Sequence, residues 1–547
     1  MTRKLMVRRL VAALAMISFA GAAAALFAQP AFAANLCVGS RPGCFSNLQA
    51  AVTAAHDGDT IAIAPGTYAG GVTIDVSVNI VGAGAGSTVI RGGGSVLTIG
   101  VYGAATEPTV SISGVTITGG VARSSPESVP FVGTAGVMAR GGGIEIPPNA
   151  DFTGGATVTI TNSVITGNRV APMVALPIGP PCPGNVPCPY AGAYGGGIDS
   201  WGTLTLMNTT VSNNRIGSAS GLSTIASDAE GGGINNQLGA LTITNSTISD
   251  NEATATAPNG RYADGGGMFL GGGTLTMNGS TVTANSSALS AAEPNSVAAN
   301  NGSQAVAGGI HVTGNVTAAS ISNTIITGNS ASMTNTLGDA TAFSGGVHTD
   351  GTFTLNNDVI ANNSVRSAAL GPSGDAEGDS GAGEMDGTIN TTRFTGNTVT
   401  VSSANGNTTA SSGASIFGGT MINSVIAANH VSASSPNGSV FLVAGGLQQG
   451  GPVTLQNTTV SANSAIANAL TGTVQGGGIF AVDETANNGP PGGPLILINS
   501  SILLNLLGAN HGIKPQGGGI FDNPLTSPIT RTNSLIAGNI PDQCDGC

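Results

Sequence analysis

A short segment that ends in asparagine recurs down the chain, and this repeat restricts the fold more than any other feature. One copy reads Leu241-Thr-Ile-Thr-Asn-Ser-Thr-Ile-Ser-Asp-Asn251. The closing asparagines of the copies are Asn168, Asn214, Asn251, Asn285, Asn329, Asn363, Asn397, Asn429, Asn463, Asn505 and Asn539. Most copies follow a Gly-Gly-Gly or Gly-Gly start, as at Gly195 and Gly231. Self-similarity of this kind is typical of a solenoid of stacked units.

The aligned copies alternate apolar and polar residues with a period of two. Three residues before the closing asparagine stand Ile165, Val211, Ile248, Val282, Ile326, Ile360, Phe394, Ile426, Val460, Ile502 and Ile536. Eight residues before it stand Ile160, Leu206, Ile243, Met277, Ile321, Leu355, Ile389, Met421, Leu455, Leu497 and, in the last copy, Arg531. Hydroxyl residues such as Thr159 and Thr205 stand next to these inward columns. A period of two predicts half-buried strands and not helices.

These columns predict an all-β chain that folds as a right-handed parallel β-helix, a single-stranded solenoid. One coil cannot bury its own apolar face, so successive coils must stack. Parallel crossovers are right-handed, which sets the expected hand. Each coil runs from the glycine start to the closing asparagine. The remaining residues, for example 170–193, 286–306 and 364–382, are predicted to form variable loops along one corner of the rod.

A second asparagine column precedes the closing residue by six positions. Its members are Asn162, Asn208, Asn245, Asn323, Asn357, Asn423, Asn457, Asn499 and Asn533. Asparagine tolerates the left-handed backbone conformation that strand corners need. We expect both asparagine columns to stand at corners, with side-chain amides hydrogen-bonded along the axis.

The two ends of the chain differ from the repeats. Residues 1–33 are predicted to be a signal peptide, because Arg3, Lys4, Arg8 and Arg9 precede an apolar run and an Ala-Phe-Ala site. Residues 34–58 are predicted to form an N-terminal cap. In it, Ser46-Asn-Leu-Gln49 matches a capping box that opens a short capping helix. Residues 59–540 form the repeats and 541–547 a tail.

Export from the cell sets further expectations. The mature chain is predicted to be secreted or held at the cell surface, without a transmembrane segment, since no later apolar run is long enough. In an oxidising compartment the six cysteines are expected to pair locally, as Cys37–Cys44, Cys182–Cys188 and Cys544–Cys547.

The composition limits the classes of partner. Charged residues are 8% of the chain and the formal net charge is −12, so no basic stripe exists to neutralise phosphates. We therefore expect no nucleic acid partner. Hydrophobic residues reach 40%, which is enough to bury a core and argues against a disordered chain.

Four segments resemble the opening of pectin-lyase-like β-helix proteins: Leu48-Gln-Ala-Ala-Val52, Gly58-Asp-Thr-Ile61, Pro65-Gly-Thr-Tyr68 and Ile80-Val-Gly-Ala83. The glycine starts and Ile-x-x-Asn endings resemble the repeats of polymorphic outer-membrane proteins. Both resemblances imply a right-handed parallel β-helix. They do not imply one activity, because this scaffold carries lyases, hydrolases and adhesins.

Candidate catalytic residues come from the position after the aliphatic start of each coil. Glu145 and Asp199 stand there in consecutive coils, close enough in register to raise one pKa or hold a cation. The plainer interpretation is two solvated surface carboxylates. His311 and His348 occupy the same column and could bind a metal with a third ligand. The sequence shows no third ligand, so two surface histidines are the expectation there.

An acidic segment is the candidate metal site. The spacing of Asp375, Glu377, Asp379 and Asp386 partly matches a calcium loop, although Ser380 stands where glycine is expected. Calcium is the one cofactor that the sequence suggests. The alternative is a solvated acidic loop without an ion.

The predicted function is that of a secreted or cell-surface structural and binding protein, adhesin-like, with a glycan or cell-surface ligand. Pectin-lyase-like enzymes carry Asp, Arg or Lys on one lateral face. Here Lys514 is the one lysine after the signal segment, and His511-Gly512 lacks an upstream Asp-Asp partner. These departures favour binding over catalysis. The alternative is an extracellular polysaccharide lyase or glycoside hydrolase that uses Glu145 and Asp199.

Overall fold

The computed structural model describes residues 33–123, 125–128, 135–171, 190–217, 226–256, 260–292, 303–481, 493–522 and 529–546. Its fold is a right-handed parallel β-helix that is nearly all-β, as the repeats predict. One short helix, α1 (Leu48–Ala54), precedes the stacked coils. None of the helices among the described residues is long and apolar enough to cross a membrane.

Sheet A contains two strands from most coils. Its strands are Asn35–Val38, Thr60–Ile63, Val72–Ile74, Asn79–Gly82, Leu97–Ile99, Thr109–Ser113, Ile144–Ile146, Thr157–Thr161, Ile198–Ser200, Thr203–Met207, Ile234–Asn236, Ala240–Thr244, Met268–Leu270, Gly273–Asn278, Ile310–Val312, Val316–Ser322, Val347–Asn356, Gly383–Asn390, Ala414–Ile422, Leu447–Gln449, Val453–Gln456, Ile479–Ala481, Leu495–Ile498, Ile520–Asp522, Thr530–Thr532 and Cys544–Asp545. Pairing between coils is parallel, and equivalent repeat positions lie side by side, as Ile160 does with Leu206.

Sheet B contains one strand from each coil and closes the main core opposite sheet A. Its strands are Gly66–Ala69, Thr88–Arg91, Thr116–Thr118, Val164–Thr166, Thr210–Ser212, Thr247–Ser249, Thr281–Thr283, Ile325–Thr327, Val359–Ala361, Arg393–Thr395, Val425–Ala427, Thr459–Ser461, Ser501–Leu503 and Leu535–Ala537. Both apolar columns of the repeat are buried between these sheets, except at the last coil, where Arg531 is exposed. The core therefore ends there.

Sheet C is built from segments that the sequence predicted to be loops. Its strands are Val121–Ala122, Ser125–Ser128, Ala135–Arg140, Arg169–Val170, Tyr190–Tyr194, Arg215–Gly217, Ala226–Glu230, Glu252–Thr256, Gly260–Asp264, Ser286–Ala291, Gln304–Val306, Ser330–Asn335, Ala340–Phe343, Ser364–Ala369, Ala376–Asp379, Thr398–Ser403, Thr408–Ser411, His430–Val443, Ser464–Gln475 and Leu506–Ala509. One ladder follows the closing asparagines, and a second ladder leads back to the glycine starts.

A second core lies between the two ladders of sheet C. It consists largely of alanines, such as Ala253, Ala255 and Ala263, with Val399 and Leu442 among its larger members. The prediction of a fringe of loops is therefore wrong for the described parts of these segments. Alanine alternates there with serine and threonine, and these residues differ too little in hydropathy for the alternation to predict a strand.

The closing asparagines form a buried ladder along the axis. Asn214 donates its side-chain Nδ2–H to Oδ1 of Asn251 at 3.0 Å and to the Ile165 carbonyl at 3.0 Å. Its backbone N–H also donates to Asn251 Oδ1, at 3.1 Å. Each buried amide is thereby satisfied by its neighbours, as buried polar groups require.

Left-handed backbone conformations occur at both corners of the repeat, but at one corner they lie one residue before the predicted asparagine. The earlier asparagine column has positive φ, for example 48° at Asn162 and 50° at Asn457, as expected. At the second corner, however, the residue before the closing asparagine has positive φ, such as Asn213 at 54° and Leu504 at 56°. The closing asparagine itself does not have a positive φ, and its side chain points inward to form the hydrogen-bonded ladder.

The glycine starts make room for that ladder. A Cβ at Gly197 would lie 2.7 Å from the Gly233 carbonyl oxygen and 2.9 Å from Asn214 Nδ2. Gly195 has a φ of 61°, which turns the chain from sheet C into sheet A. The glycines therefore serve both the corner and the buried asparagines.

The N-terminal helix is capped by a different residue from the one predicted. Asn47, not Ser46, is the N-cap, and its side chain accepts from the Ala50 N–H at 2.8 Å. Gln49 does not close a capping box but bonds the backbone of Thr73 in a neighbouring coil.

One predicted disulfide is present. Cys37 and Cys44 are bonded. The pairings Cys182–Cys188 and Cys544–Cys547 include residues outside the described ranges and stay predictions.

Candidate functional site

Sheet C folds back beside sheet A along the solenoid, and most of the side chains at this contact are buried. We call this contact the axial groove. One wall carries the outward side chains of the first sheet A strand of each coil. Pairing places these side chains in one file: Glu145, Asp199, Asn235, Phe269, His311, His348 and Glu384. The other wall carries the residues just before the glycine starts, on the second ladder of sheet C: Arg140, Tyr194, Glu230 and Asp264.

Glu145 and Asp199 lie directly side by side in register, as the repeat predicted. They are not two solvated carboxylates, however. Asp199 is completely buried, and its Oδ1 accepts from Asn235 Nδ2 at 2.5 Å. Burial raises the pKa of Asp199, and the Arg140 charge and the Asn235 hydrogen bond oppose that rise.

Arg140 is the central cation of this part of the groove. Its Nη1 lies 3.8 Å from Asp199 Oδ2. Its guanidinium carbon also lies 5.2 Å from the ring centroid of Tyr194 and 5.2 Å from that of Trp201. Arginine between aromatic faces gains cation–π attraction that is largest when water is excluded.

A cavity of about 520 Å³ opens beside Arg140. Polar groups line it, among them Ser95, Arg123, Arg140 and Glu145. Ser95 Oγ lies 3.5 Å from Glu145 Oε2. A concave site in which two guanidinium groups and a carboxylate converge is suited to polar ligands with hydroxyl or carboxylate groups.

An aromatic cluster continues from Arg140. Trp201 packs edge-on against Phe152 at 6.2 Å, and Phe152 packs against Tyr102 at 5.8 Å. Tyr102 is 51% exposed. Phe152 has a φ of 54°, a strained conformation for a bulky residue, and such strain concentrates at functional sites.

The middle of the groove holds carboxyl groups whose pKa values are raised. Burial, and then the charge of Asp228, raise the pKa of Glu230 to about 8. Glu230 Oε2 accepts from Gln237 Nε2 at 3.1 Å. Burial, followed by the charge of Glu230, raises the pKa of Asp264 well above its ordinary value. Glu230 therefore holds its proton at neutral pH, so the groove carries less negative charge than its sequence suggests.

His311 and His348 lie side by side in register as predicted, with their rings edge-to-face and the centroids 4.9 Å apart, but they are not surface histidines. His311 is only 8% exposed, and burial lowers its pKa to about 4. The expectation that no third ligand exists is wrong. Asp350, two residues after His348, places its carboxylate within 4.8 Å of both rings.

The Nε2 atoms of both histidines point to that carboxylate. His348 Nε2 lies 3.2 Å from Asp350 Oδ1, and His311 Nε2 lies 3.9 Å from Asp350 Oδ2. The two rings lower the pKa of Asp350 below its usual range. Burial opposes the charged form of His348, but Glu384 and Asp350 raise its pKa overall.

The acidic segment predicted to bind calcium is not a loop. Glu377 and Asp379 lie in a sheet C strand, and Asp386 lies in the next sheet A strand. Asp379 accepts from Ser411 and Ser415, and Asp375 accepts from the Asn407 N–H at 2.6 Å. Among the described residues, these four carboxylates are not brought together as a metal-binding group. Calcium binding by this segment stays a prediction.

Sequence reasoning missed half of the groove. Arg140, Tyr194, Glu230 and Asp264 each stand immediately before a Gly-Gly-Gly start, and that fixed offset is a signal that the sequence does contain. Asp350 is a harder case, because it lies in the same strand as His348, at an irregularity in the pairing with the next coil. The sequence does not show that these residues lie beside the outward column of sheet A. That relationship is seen only in the structure, where sheet C packs next to sheet A.

Comparisons with known proteins add little. No family model matches the chain. No curated protein matches it either. One solved structure, the Azotobacter vinelandii mannuronan C-5 epimerase AlgE6 A-module, aligns with 90% of this chain and 93% of its own length, at 13% identity and a TM-score of 0.23. That TM-score is too low to bear on function. The relation to polymorphic outer-membrane proteins stays a prediction.

Proposed function

We propose that this chain is a secreted β-helix protein that binds an extended polysaccharide in the axial groove. The observation that carries the proposal is the 520 Å³ cavity lined by Arg123, Arg140 and Glu145, together with the aromatic rings that contact Arg140. The chain has one tryptophan and five tyrosines, yet Trp201 and Tyr194 both contact Arg140, and Tyr102 is joined to Trp201 through Phe152. Aromatic faces beside charged and amide side chains are the means by which proteins bind sugar rings.

The stacking of the coils suits a polymer. Equivalent positions repeat roughly every 4.8 Å along the axis, so an extended sugar chain that leaves the cavity would pass similar surface positions in neighbouring coils. The partly exposed Gln237, whose amide donates to Glu230 and Asn235, continues the polar surface beyond Arg140. Arg123 and Arg140 favour sugars that carry carboxylates over neutral ones.

Affinity electrophoresis with acidic and neutral polysaccharides tests this proposal. Tyr102→Ala removes an exposed ring of the cluster and is expected to weaken binding up to about tenfold, since an aromatic contact contributes roughly 0.5–1.5 kcal/mol. Phe441→Ala is the matched control, because Phe441 is 44% exposed in sheet C outside the cluster. Equal retardation of the wild type and Tyr102→Ala in every gel would refute the proposal.

A second candidate function is cleavage or modification of the bound polysaccharide. Glu145 favours it, because this carboxylate lines the cavity beside two arginines. Asp199 is completely buried, so it is a positioning residue that holds Arg140 and not a second catalytic acid. Incubation with acidic polysaccharides tests this function. Turnover that Glu145→Gln abolishes without weakening binding would establish it, and absence of turnover in the wild type would exclude it.

A further inference from the structure

We propose that His311, His348 and Asp350 form a binding site for a divalent first-row transition metal of the zinc class. The site lies in the axial groove, several coils from the Arg140 cavity. It does not depend on polysaccharide binding. Two imidazoles and one carboxylate are a donor set that zinc and its neighbours prefer, whereas calcium and magnesium require oxygen ligands.

The donor atoms converge on one point. Nε2 of His348 and Nε2 of His311 lie 3.2 and 3.9 Å from the two oxygens of the Asp350 carboxylate. Ligands of a tetrahedral zinc ion, each about 2.0–2.1 Å from the metal, are separated by roughly 3.3 Å. A small inward movement of the His311 ring, which is held at the longer distance, would complete this geometry.

The opposite ring nitrogen of each histidine faces a carboxylate. Nδ1 of His348 lies 3.0 Å from Ser344 Oγ and 3.5 Å from Glu384 Oε2. Nδ1 of His311 faces Asp264 Oδ2 at 3.9 Å. Metal-bound histidines typically direct the second N–H to a carboxylate, which orients the ring and strengthens the ligand. Here both rings have such a carboxylate behind them.

The burial of His311 provides an independent indication of a metal ligand role. It is 8% exposed, and neither ring nitrogen has a hydrogen-bond partner. Asp264 Oδ1 is also buried without a hydrogen-bond partner. Buried polar groups without partners cost free energy, so a native structure normally satisfies them. A metal ion bound at Nε2 would satisfy His311 and draw its ring toward Asp350.

Three protein ligands leave a coordination position open. Asp350 is 53% exposed at its side chain, so this position faces the groove and not the protein interior. Structural zinc sites are usually closed by four protein ligands, whereas sites that act on a ligand keep one position for water or substrate. We therefore assign the open position to water or to a donor group of a molecule bound in the groove.

Zinc titration of the chelator-treated, untagged protein by isothermal calorimetry tests the proposal. The wild type is expected to bind about one zinc ion per chain, and calcium or magnesium at the same concentration should not compete. Asp350→Asn should weaken binding at least about tenfold, because it removes a ligand charge at a half-exposed position where the fold tolerates change. Asp75→Asn, an exposed carboxylate of the N-terminal coils, should leave binding unchanged.

Cobalt absorption identifies the ligands directly. Co²⁺ in the wild type should give visible bands that His348→Gln removes and that His430→Gln, a histidine on sheet C, retains. The wild-type protein alone can refute the proposal if cobalt gives no such bands. The test therefore does not depend on whether His348→Gln folds. A wild type without stoichiometric zinc binding, or zinc binding that survives both Asp350→Asn and His348→Gln, would overturn the assignment.

Discussion

Asn329 donates its side-chain Nδ2–H to Oδ1 of Asn363 at 3.0 Å, and Asn285 donates in the same way to Asn329 at 2.9 Å. This contact repeats through the solenoid and joins the buried corner of each coil to the next. The register of the whole rod depends on it, because a shifted coil would leave buried amides without partners.

Asn329→Ala is expected to destabilise the protein strongly. The substitution leaves the Asn285 backbone and side-chain N–H groups without their acceptor, and Val282 and Asn363 lose a donor. With roughly 1–3 kcal/mol for each unsatisfied buried group, we expect a loss of at least about 3 kcal/mol. The urea midpoint measures it. Asn357→Gly, at an exposed corner with a φ of 61°, is the control and should shift the midpoint only slightly.

Gln543 terminates the asparagine ladder, so its loss should act locally. Its Oε1 accepts from the Asn539 backbone N–H at 3.1 Å and from Asn539 Nδ2 at 3.0 Å, where the next asparagine would otherwise stand. Gln543→Ala is expected to speed hydrogen exchange in residues 529–546 while the central coils keep their protection. Gln516→Ala, which removes an exposed amide contact to Gln475, should not do so. Unchanged exchange near Asn539 would contradict this role.

Arg140→Met should cost about 3 kcal/mol or more, because it leaves the buried Asp199 carboxylate without its cation. Adding Asp199→Asn should recover part of that loss. The exposed pair of Arg215 and Glu252, 3.4 Å apart, is the comparison. Arg215→Met is expected to cost less than about 1 kcal/mol. Thermal unfolding of the single and double variants measures the coupling, and a purely additive cycle would refute it.

The groove carboxyls should make the protein less stable as the pH rises. Glu230 keeps its proton up to a pKa of about 8 in the folded state, whereas an unfolded glutamate loses it near pH 4.5. Between those values the folded state binds more protons than the unfolded state, so stability falls with increasing pH. Asp199 and Asp264, whose pKa values are also raised, act in the same direction.

Glu230→Gln is therefore expected to raise the melting temperature at pH 8 more than at pH 5. Calorimetry across this range measures the difference. Asp151→Asn changes an exposed carboxylate and should not alter the slope. A melting temperature of the wild type that rises from pH 5 to pH 8, with Glu230→Gln parallel to it, would show that the buried carboxyls do not control stability.

Part of this molecule follows from sequence alone. The inward columns, such as Ile165 and Val211, and the exposed asparagine corners, such as Asn208, are confirmed because they depend only on a strand's alternation and on one residue's backbone preference. The same logic put Glu145 beside Asp199 and His311 beside His348. Each of these relationships joins equivalent positions of neighbouring repeats, and equivalence can be seen by aligning the sequence.

The tertiary structure decided which outward residues are buried and what they face. His311 meets Asp264, and Arg140 meets Asp199, only because the alanine-rich strands of sheet C pack on each other and return beside sheet A. The two members of each pair occupy different positions in the repeat, so aligning the repeats does not reveal that they are neighbours. Their closeness, the proton-holding carboxyls and the histidine site follow from how one sheet folds against another, and that packing is set by long-range contacts with weak local signals.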